Sequence, residues 1–590
     1  MLSWALHSGL RFGRLAVALA ICLMVFGIAG LRSVPVDVYP EFMPVSVEIQ
    51  TEALGLSAAE VEQLITVPIE QDLLNGVPWL DRIHSTSMPG LSAIDLTFQY
   101  GTNLYAARQM VQERMTQAHA LPNVGSPPIM IQPLASASRV AMIGLSSRTV
   151  SLVDMSVLAR WKIRPRLMGV PGVANVSIYG QRDRQLQVQV DPQRLQARGV
   201  SLTRVIETTG NALWVSPLTF VEASTPGTGG FVESANQRLQ VQHISPITTP
   251  QQLSEVAIEG TGPRGLRLGD VADVVEGHQP LIGDAVSQGT PGLFLVIEKS
   301  PGANTLAVTR GIDEALADMA PGLQGITIDP NVYRPATYLE TALRNVGVVA
   351  LLALALLLFA ALLVLASWRA ALVVVVVVPV SVTVTAYVLY LSGTTFTTIT
   401  LLGLAAAVGL VIDDVISDLD AVRRRPSDRA GEPGSARDVM LAAFSAARRP
   451  LMFATLAILL AILPFAFLGT LASSFSRPLV FTFALAVISS VVVAFTLTPA
   501  LAVLLLRGRP ARRDGAFASA VKNVFDHRLA AWIGRPRRAW AVAGVLAVAS
   551  LAVVPQIGAG PLLPALQDRN LLLRIQAVPG ISLPEMDRIT

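Results

Sequence analysis

Cysteine is nearly absent from this 590-residue chain. Cys22 is the only one, and it lies inside an apolar run. That excludes a disulfide framework and a cysteine-based metal cluster. Lysine is almost as scarce, with only Lys162, Lys299 and Lys522 among 45 basic residues. None stands in a GxxxxGK[ST] context, so there is no Walker A phosphate loop. HExxH, CxxC and GxSxG are also missing. No recognisable site hydrolyses a nucleotide or a peptide bond. If the protein moves a solute, an ion gradient has to drive it.

Charge is sparse too. Charged residues make up 15% and hydrophobic ones 52%, with a mean hydropathy of +0.54. This composition belongs to an integral membrane protein with a sizeable water-exposed part. The net charge of +4 is no argument for nucleic acid, because the arginines cluster beside apolar spans. Seven apolar runs are long enough to be membrane helices: 14–31, 343–366, 371–391, 397–420, 450–470, 479–506 and 538–556. The first reads as an uncleaved anchor rather than a signal peptide, because a similar helix recurs later. Basic residues fix the orientation. Arg11 and Arg14 precede the first run, and Arg369 separates the second from the third. Seven arginines lie between Arg423 and Arg449, and eight arginines plus Lys522 between Arg507 and Arg538. All four places fall on one side, read as cytoplasmic. Residues 32–341 are then extracytoplasmic.

The fourth run carries the least expected residues. Thr400–Arg425 begins as an ordinary membrane helix and then presents Asp413 and Asp414 side by side, followed by Asp418 and Asp420. One carboxylate at mid-bilayer costs roughly 2.5–3.5 kcal/mol, against about 0.3–0.6 gained per Leu or Val. Such acids face a protein interior or a water path, where they relay protons or bind ions. The competing reading ends the helix at Ile412 and puts the acids in a loop. Against it, apolar spacing continues through Val415, Ile416, Leu419 and Val422. Asp413 and Asp420 are separated by about 700° and share a face, with Asp414 turned by about 100° toward the side of Asp418. Two carboxylates this close in low dielectric are expected to share a proton. No lysine or arginine falls inside a predicted membrane core. The nearest bases in sequence are Arg423–Arg425, so the acids are expected to lack a cation within this chain and to stay proton-bound.

The long extracytoplasmic stretch patterns as α+β. Val45–Thr51 alternates like a strand. Ser57–Asn75 has helical periodicity and opens on a capping box, Ser57 with Glu60. Ser92–Tyr100 alternates again, and Asn103–Ala118 is a second amphipathic helix. A comparable unit follows: strand Val140–Leu145, helix Leu152–Leu167, strands Val173–Ile178 and Gln185–Val190. Helix Leu202–Thr209, further strands up to Val274, strand Phe294–Glu298 and helix Asn304–Met319 complete it. Gly227–Gly230 follows no strand and opens no helix, so it reads as a hairpin rather than a phosphate loop. Met88, Met110, Met115 and Met130 are scattered, as core filling is. Ala516–Ile533 places Phe517, Val521, Val524, Phe525, Leu529 and Trp532 on one face between arginines, as in a helix lying on the cytoplasmic membrane surface. Residues 40–62 and 564–587 resemble each other. Each follows a membrane helix, and each has an Ile-Gln step, a Gly-apolar-Ser and an acid three residues after the Ser. A second half therefore starts near the seventh helix, and the chain is expected to be a fragment.

Several long blocks carry a family resemblance. They are VPVDVYPEF (34–42), VEIQTEALGLSAAEVEQLITVPIEQDLLNGVP (47–78), FQYGTNLYAARQMVQERM (98–115), VDPQRLQARGVSL (190–202), the acidic fourth helix and LTPAL (497–501). The chain resembles the first half of a resistance-nodulation-division (RND) efflux pump, most of all the heavy-metal branch. The resemblance implies a helical membrane domain with a periplasmic α+β region of ferredoxin-like porter subdomains and a docking subdomain. On that basis 1–31 is the N-terminus and first helix, 32–180 porter, 181–274 docking and 275–341 the rest of the porter. Residues 342–506 hold helices two to six, 507–537 the interfacial helix, 538–556 helix seven and 557–590 the start of a second periplasmic region. Also implied are a bacterial inner-membrane location, a homotrimer, proton antiport, a periplasmic adaptor and an outer-membrane channel, with no enzyme activity and no cofactor.

Site residues follow from the same resemblance. Asp413 matches the fourth-helix aspartate common to the superfamily. Asp420 stands where metal pumps usually have glutamate. Asp414 matches the second acid of the pair in the drug-exporting branch. Ala407 stands where divalent-metal pumps often have another aspartate. The implied proton relay is Asp413, Asp414 and Asp420, with its basic partner on a later helix, and no metal ligand is assigned. The hybrid pattern leaves an exporter of drugs or other organic amphiphiles as an alternative. A non-transporting receptor is a remote one, because it gives no role to four acids at one membrane helix.

Overall fold

The computed structural model describes residues 12–31, 34–53, 55–117, 127–135, 137–212, 231–240, 247–261, 265–279, 281, 283–423, 436–468, 471–506, 516–533, 536–553, 573, 575, 577 and 581–590. The chain enters through helix α1 (Gly13–Leu31) and passes through an extended segment into the first sheet. That sheet contains β1 (Ser46–Glu52), β2 (Leu80–Met88), β3 (Leu91–Phe98) and β4 (Ile129–Met130), in the order β2-β3-β1-β4. Its core comes from alternation. Val47 and Ile49 on β1 and Ile94, Leu96 and Phe98 on β3 point one way, onto Val61, Ile65, Ile69 and Leu73 of the helical run that opens at Ala58. The expected capping box is present, with Ser57 and Glu60 bonded reciprocally. Met115 and Met130 pack against this core, the filling role read for them. Strand β2 was not expected. No residue on it is fully buried, so it has none of the apolar alternation that marks a strand.

The second sheet is built from β5 (Arg139–Ser146) and β6 (Val173–Tyr179) together with strands returning much later in the chain. Between them lies a separate lobe. Strands β7 (Arg184–Val190), β8 (Phe231–Glu233), β9 (Arg238–Gln240) and β10 (Ala272–His278) form two antiparallel pairs, β7 with β10 and β8 with β9. The helix Pro192–Arg198 ends on Gly199 at φ +65°, a left-handed cap that glycine takes without a Cβ clash. Strands β11 (Val286–Ser287), β12 (Thr290–Lys299) and β13 (Thr327–Tyr333) then rejoin the second sheet in the order β11-β12-β5-β13, with β6 on β12. Helix α2 (Thr305–Met319) covers it through Val308, Ile312, Ala315 and Leu316. The stretch 224–230, which includes the Gly-rich hairpin, lies outside the described residues.

The membrane bundle comprises α3 (Ala336–Leu365), α4 (Trp368–Leu391), α5 (Thr398–Arg423), α6 (Ala436–Ile462) and α7 (Leu471–Leu506) with α1. Helix α4, with its six consecutive valines, is the most enclosed of the spans. Closeness depends on small residues. A Cβ on Gly27 of α1 would stand 2.4 Å from Thr383 of α4. One on Gly403 of α5 would stand 2.8 Å from the Leu479 carbonyl of α7. Among the described residues six helices are long and apolar enough to cross a membrane, not seven. The last helix, α9 (Pro536–Val553), carries Arg537 and Arg538 in its first turn, so only Ala539–Val553 is apolar. Before it, α8 (Ala516–Ile533) exposes Val521, Val524, Phe525 and Leu529. Of the internal repeat, the helix Leu583–Ile589 is described.

Candidate functional site

Helix α5 does not stop at Ile412. It runs unbroken to Arg423 and carries all four aspartates. Its N-terminus is tied by Thr397 and Thr400, each hydroxyl accepting from the other's backbone N–H at 3.4 and 2.8 Å. Both threonines are buried, so this reciprocal bonding satisfies donors that water does not reach. Lower down, Val411, Val415 and Leu419 pack into the bundle core. That registers the acids. Asp414 and Asp418, about 40° apart on the helix, are buried with these residues at 3% and 0% exposure. Asp413 is exposed and Asp420 half-buried.

The structure brings a cation to the buried pair. Arg448 of α6 is 2% exposed, and its Nη2 pairs with Asp418 Oδ2. Its guanidinium carbon lies 4.8 Å from the centroid of the Phe495 ring on α7, within cation–π range. Ser490 Oγ of α7 reaches Asp414 Oδ2 at 3.5 Å, the long limit of a hydrogen bond. Asp418 Oδ1 and Arg448 Nε are buried with no hydrogen-bond partner among the described residues. The site therefore gathers a guanidinium paired with one enclosed carboxylate, Asp418, and a second enclosed carboxylate, Asp414, on the same side of α5.

This corrects the expectation that the acids lack a cation in this chain. By sequence Arg448 counts among the seven arginines between the fourth and fifth apolar runs, on the side read as cytoplasmic. Helix α6 instead begins at Ala436 and keeps Pro450 in its interior. The available signal was the stretch from Ala436, rich in good helix formers and free of breakers before Pro450.

Outside the bundle, Glu48 and Asp95 stand opposite each other on β1 and β3. Burial pushes the Glu48 carboxyl up. The Gln50 amide at 2.6 Å opposes this, and the Asp95 and Glu298 charges add to it. Burial raises Asp95 as well, with His84 opposing. No group of three or more His, Cys, Asp or Glu among the described residues is placed to hold a metal ion.

A family model described as AcrB/AcrD/AcrF matches residues 13–590. The chain belongs to the AcrB/AcrD/AcrF family of RND permeases. The resemblance read from the sequence blocks is thus borne out. The permease is 25% identical over 593 residues to the cation efflux system protein CzcA of Alcaligenes sp. (strain CT14), covering 96% of this chain and 54% of that protein. It is 26% identical over 651 residues to the nickel and cobalt resistance protein CnrA of Cupriavidus metallidurans, covering 99% and 57%. It is also 27% identical over 507 residues to the multidrug resistance protein MdtC of Edwardsiella ictaluri, covering 84% and 47%. A crystal structure of a heavy metal efflux pump superposes with a TM-score of 0.74 at 22% identity, covering 94% of this chain and 51% of that one. The permease chain spans about half the length of the curated relatives it matches.

The buried pair has a measurable consequence. Arg448→Met alone leaves Asp418 enclosed without its cation and should lower stability by about 3–5 kcal/mol. Arg448→Met with Asp418→Leu should recover most of that loss. Thermal unfolding in detergent checks the cycle; single and double variants equally destabilised would show that the two charges are not coupled.

Proposed function

We propose that this chain is the inner-membrane permease of a bacterial RND-type tripartite efflux system, exporting metal cations by proton antiport. In this reading Asp413, Asp414 and Asp420 of α5 carry the protons. The observation behind it is the burial of Asp414 and Asp418 against Arg448 within a membrane-spanning helix. Carboxylates are retained in such a place for proton or ion movement. Arg448 acts as the counter-charge to this cluster, paired with Asp418. A homotrimer, a periplasmic adaptor and an outer-membrane channel complete the assembly, as the family resemblance implies. Porter subdomains within 32–180 and 275–341, and a docking subdomain within 181–274, lie in the periplasm. Metal cations are favoured as substrate by relatives named for cobalt, zinc, cadmium and nickel resistance. The second reading, export of organic molecules, has the adjacent Asp413–Asp414 pair and the multidrug relatives in its favour.

Expression of the full-length protein in a host stripped of its own metal and drug exporters separates these readings. Growth tolerance to zinc, cobalt and nickel should rise, and Asp413→Asn or Asp414→Asn should lower it at least tenfold with membrane insertion intact. Tolerance to dyes and drugs alone would favour the second reading. Wild-type tolerance in both variants would overturn the relay. For topology, alkaline phosphatase fused after Ser234 should be active, and fused after Lys522 inactive, since it works only outside the cytoplasm. The reverse pattern would overturn the orientation.

A further inference from the structure

Lys299 is the one lysine with no exposed surface, and the relay makes no use of it. It ends β12, and its Nζ pairs with Asp37 Oδ2 on the extended segment that follows α1. The ammonium also donates to the Ala303 carbonyl at 3.2 Å. Asp37 Oδ1 accepts from the Val38 N–H at 2.8 Å and from Thr305 Oγ1 at 3.3 Å. Each charge is thus paired and further bonded. A buried ion pair of this kind adds little net stability over an apolar pair of similar volume. Its distinctive effect is to hold one geometry, because its groups tolerate few others once desolvated.

The geometry it holds joins two parts of the molecule. On one side the segment grips the second sheet and α2, through Asp37–Lys299 and through Asn304 Nδ2 donating to the Val34 carbonyl at 3.0 Å. The Lys299 backbone fixes this end, its N–H donating to Ser138 O at 2.8 Å and its carbonyl accepting from Ala135 N at 3.2 Å. On the other side the same residues grip the start of α5. Asp37 N–H donates to the Phe396 carbonyl at 3.0 Å, and Phe396 N–H to the Pro35 carbonyl at 2.8 Å. Thr398, the first residue of α5, donates its hydroxyl to the Val38 carbonyl at 2.9 Å. Residues 34–38 are therefore clamped between the acid-bearing helix and the central strand β12.

We infer that the Asp37–Lys299 pair is the strut through which a shift of α5 reaches the second sheet. The inference rests on the relay reading for its functional meaning, and Asp37 and Lys299 are positioning residues within it. An axial movement or tilt of α5 drags Phe396 and Thr398, hence Asp37, hence the end of β12 and the N-terminus of α2. Without the charge pair the segment still packs, but its pull on Lys299 is lost.

Hydrogen–deuterium exchange on the full-length protein tests this without requiring transport. Neutralising the relay with Asp414→Asn should change the exchange of amides in Thr290–Lys299 at least threefold. In an Asp37→Leu/Lys299→Met background, where no buried charge is stranded, the same substitution should leave those amides unmoved. If that background does not fold, Asp37→Asn/Lys299→Met keeps acceptors for Val38 and Thr305 and serves in its place. A response of β12 in both backgrounds, or in neither, overturns the strut. Export is read in parallel. The uncoupled background should lose at least tenfold in substrate export while unfolding within a few degrees of the parent, and export equal to the parent also overturns the strut. A parent protein that exports nothing counts against the relay reading alone, and the exchange result still decides the strut.

Discussion

Everything in the membrane part answers to one constraint: carboxylates cannot be enclosed among apolar helices without compensation. Stripping an ion of water costs several kcal/mol even after the surroundings relax. Asp418 meets that cost by pairing with Arg448, and Arg448 is in turn capped by the Phe495 ring. The pair dictates which helices must touch. It pins α6 to α5, and the ring brings in α7. Gly403, pressed against the Leu479 carbonyl, lets α5 and α7 approach closely enough. Asp414 sits beside this arrangement with the Ser490 hydroxyl at the edge of bonding distance.

A second buried ion pair does the corresponding work at the membrane boundary. Asp37 and Lys299 lie 262 positions apart in sequence, yet they join the first helix's exit to the core strand of the second sheet. Long α3 leads out of β13 through Pro335, and the segment after α1 leads into β1, so backbone joins the soluble part to the bundle at both ends, and the Asp37–Lys299 pair adds a cross-link between that segment and the second sheet.

Much of this was legible in the residues. β1 and β3 announced themselves by alternation, and the Ser57–Glu60 box marked its helix. The apolar spacing beyond Ile412 correctly kept α5 going through its acids, and the 40° offset of Asp414 and Asp418 followed from helix geometry. What escaped was whatever depends on partners far along the chain. β2 has no buried face of its own and exists because β3 offers it an edge. Arg448 falls among the seven arginines between the fourth and fifth apolar runs, which is the usual place of a cytoplasmic flank. Only Asp418, thirty positions earlier, makes its burial tolerable. Lys299, one residue past the strand expected over Phe294–Glu298, carries no local sign of burial for the same reason. Of the seventh run, 538–556, the described helix supplies only Ala539–Val553 as an apolar stretch, because arginines open it. Local pattern reports local structure. A paired buried charge is a tertiary fact, and neither member signals it alone.

Infrared difference spectroscopy of the full-length protein in lipid, recorded across pH, reads carboxyl protonation directly. A carboxylic-acid band that vanishes in Asp414→Asn and changes its midpoint in Arg448→Gln is the result expected of a relay centred on α5. A titrating band indifferent to both substitutions would contradict it, and would place the proton-carrying group elsewhere.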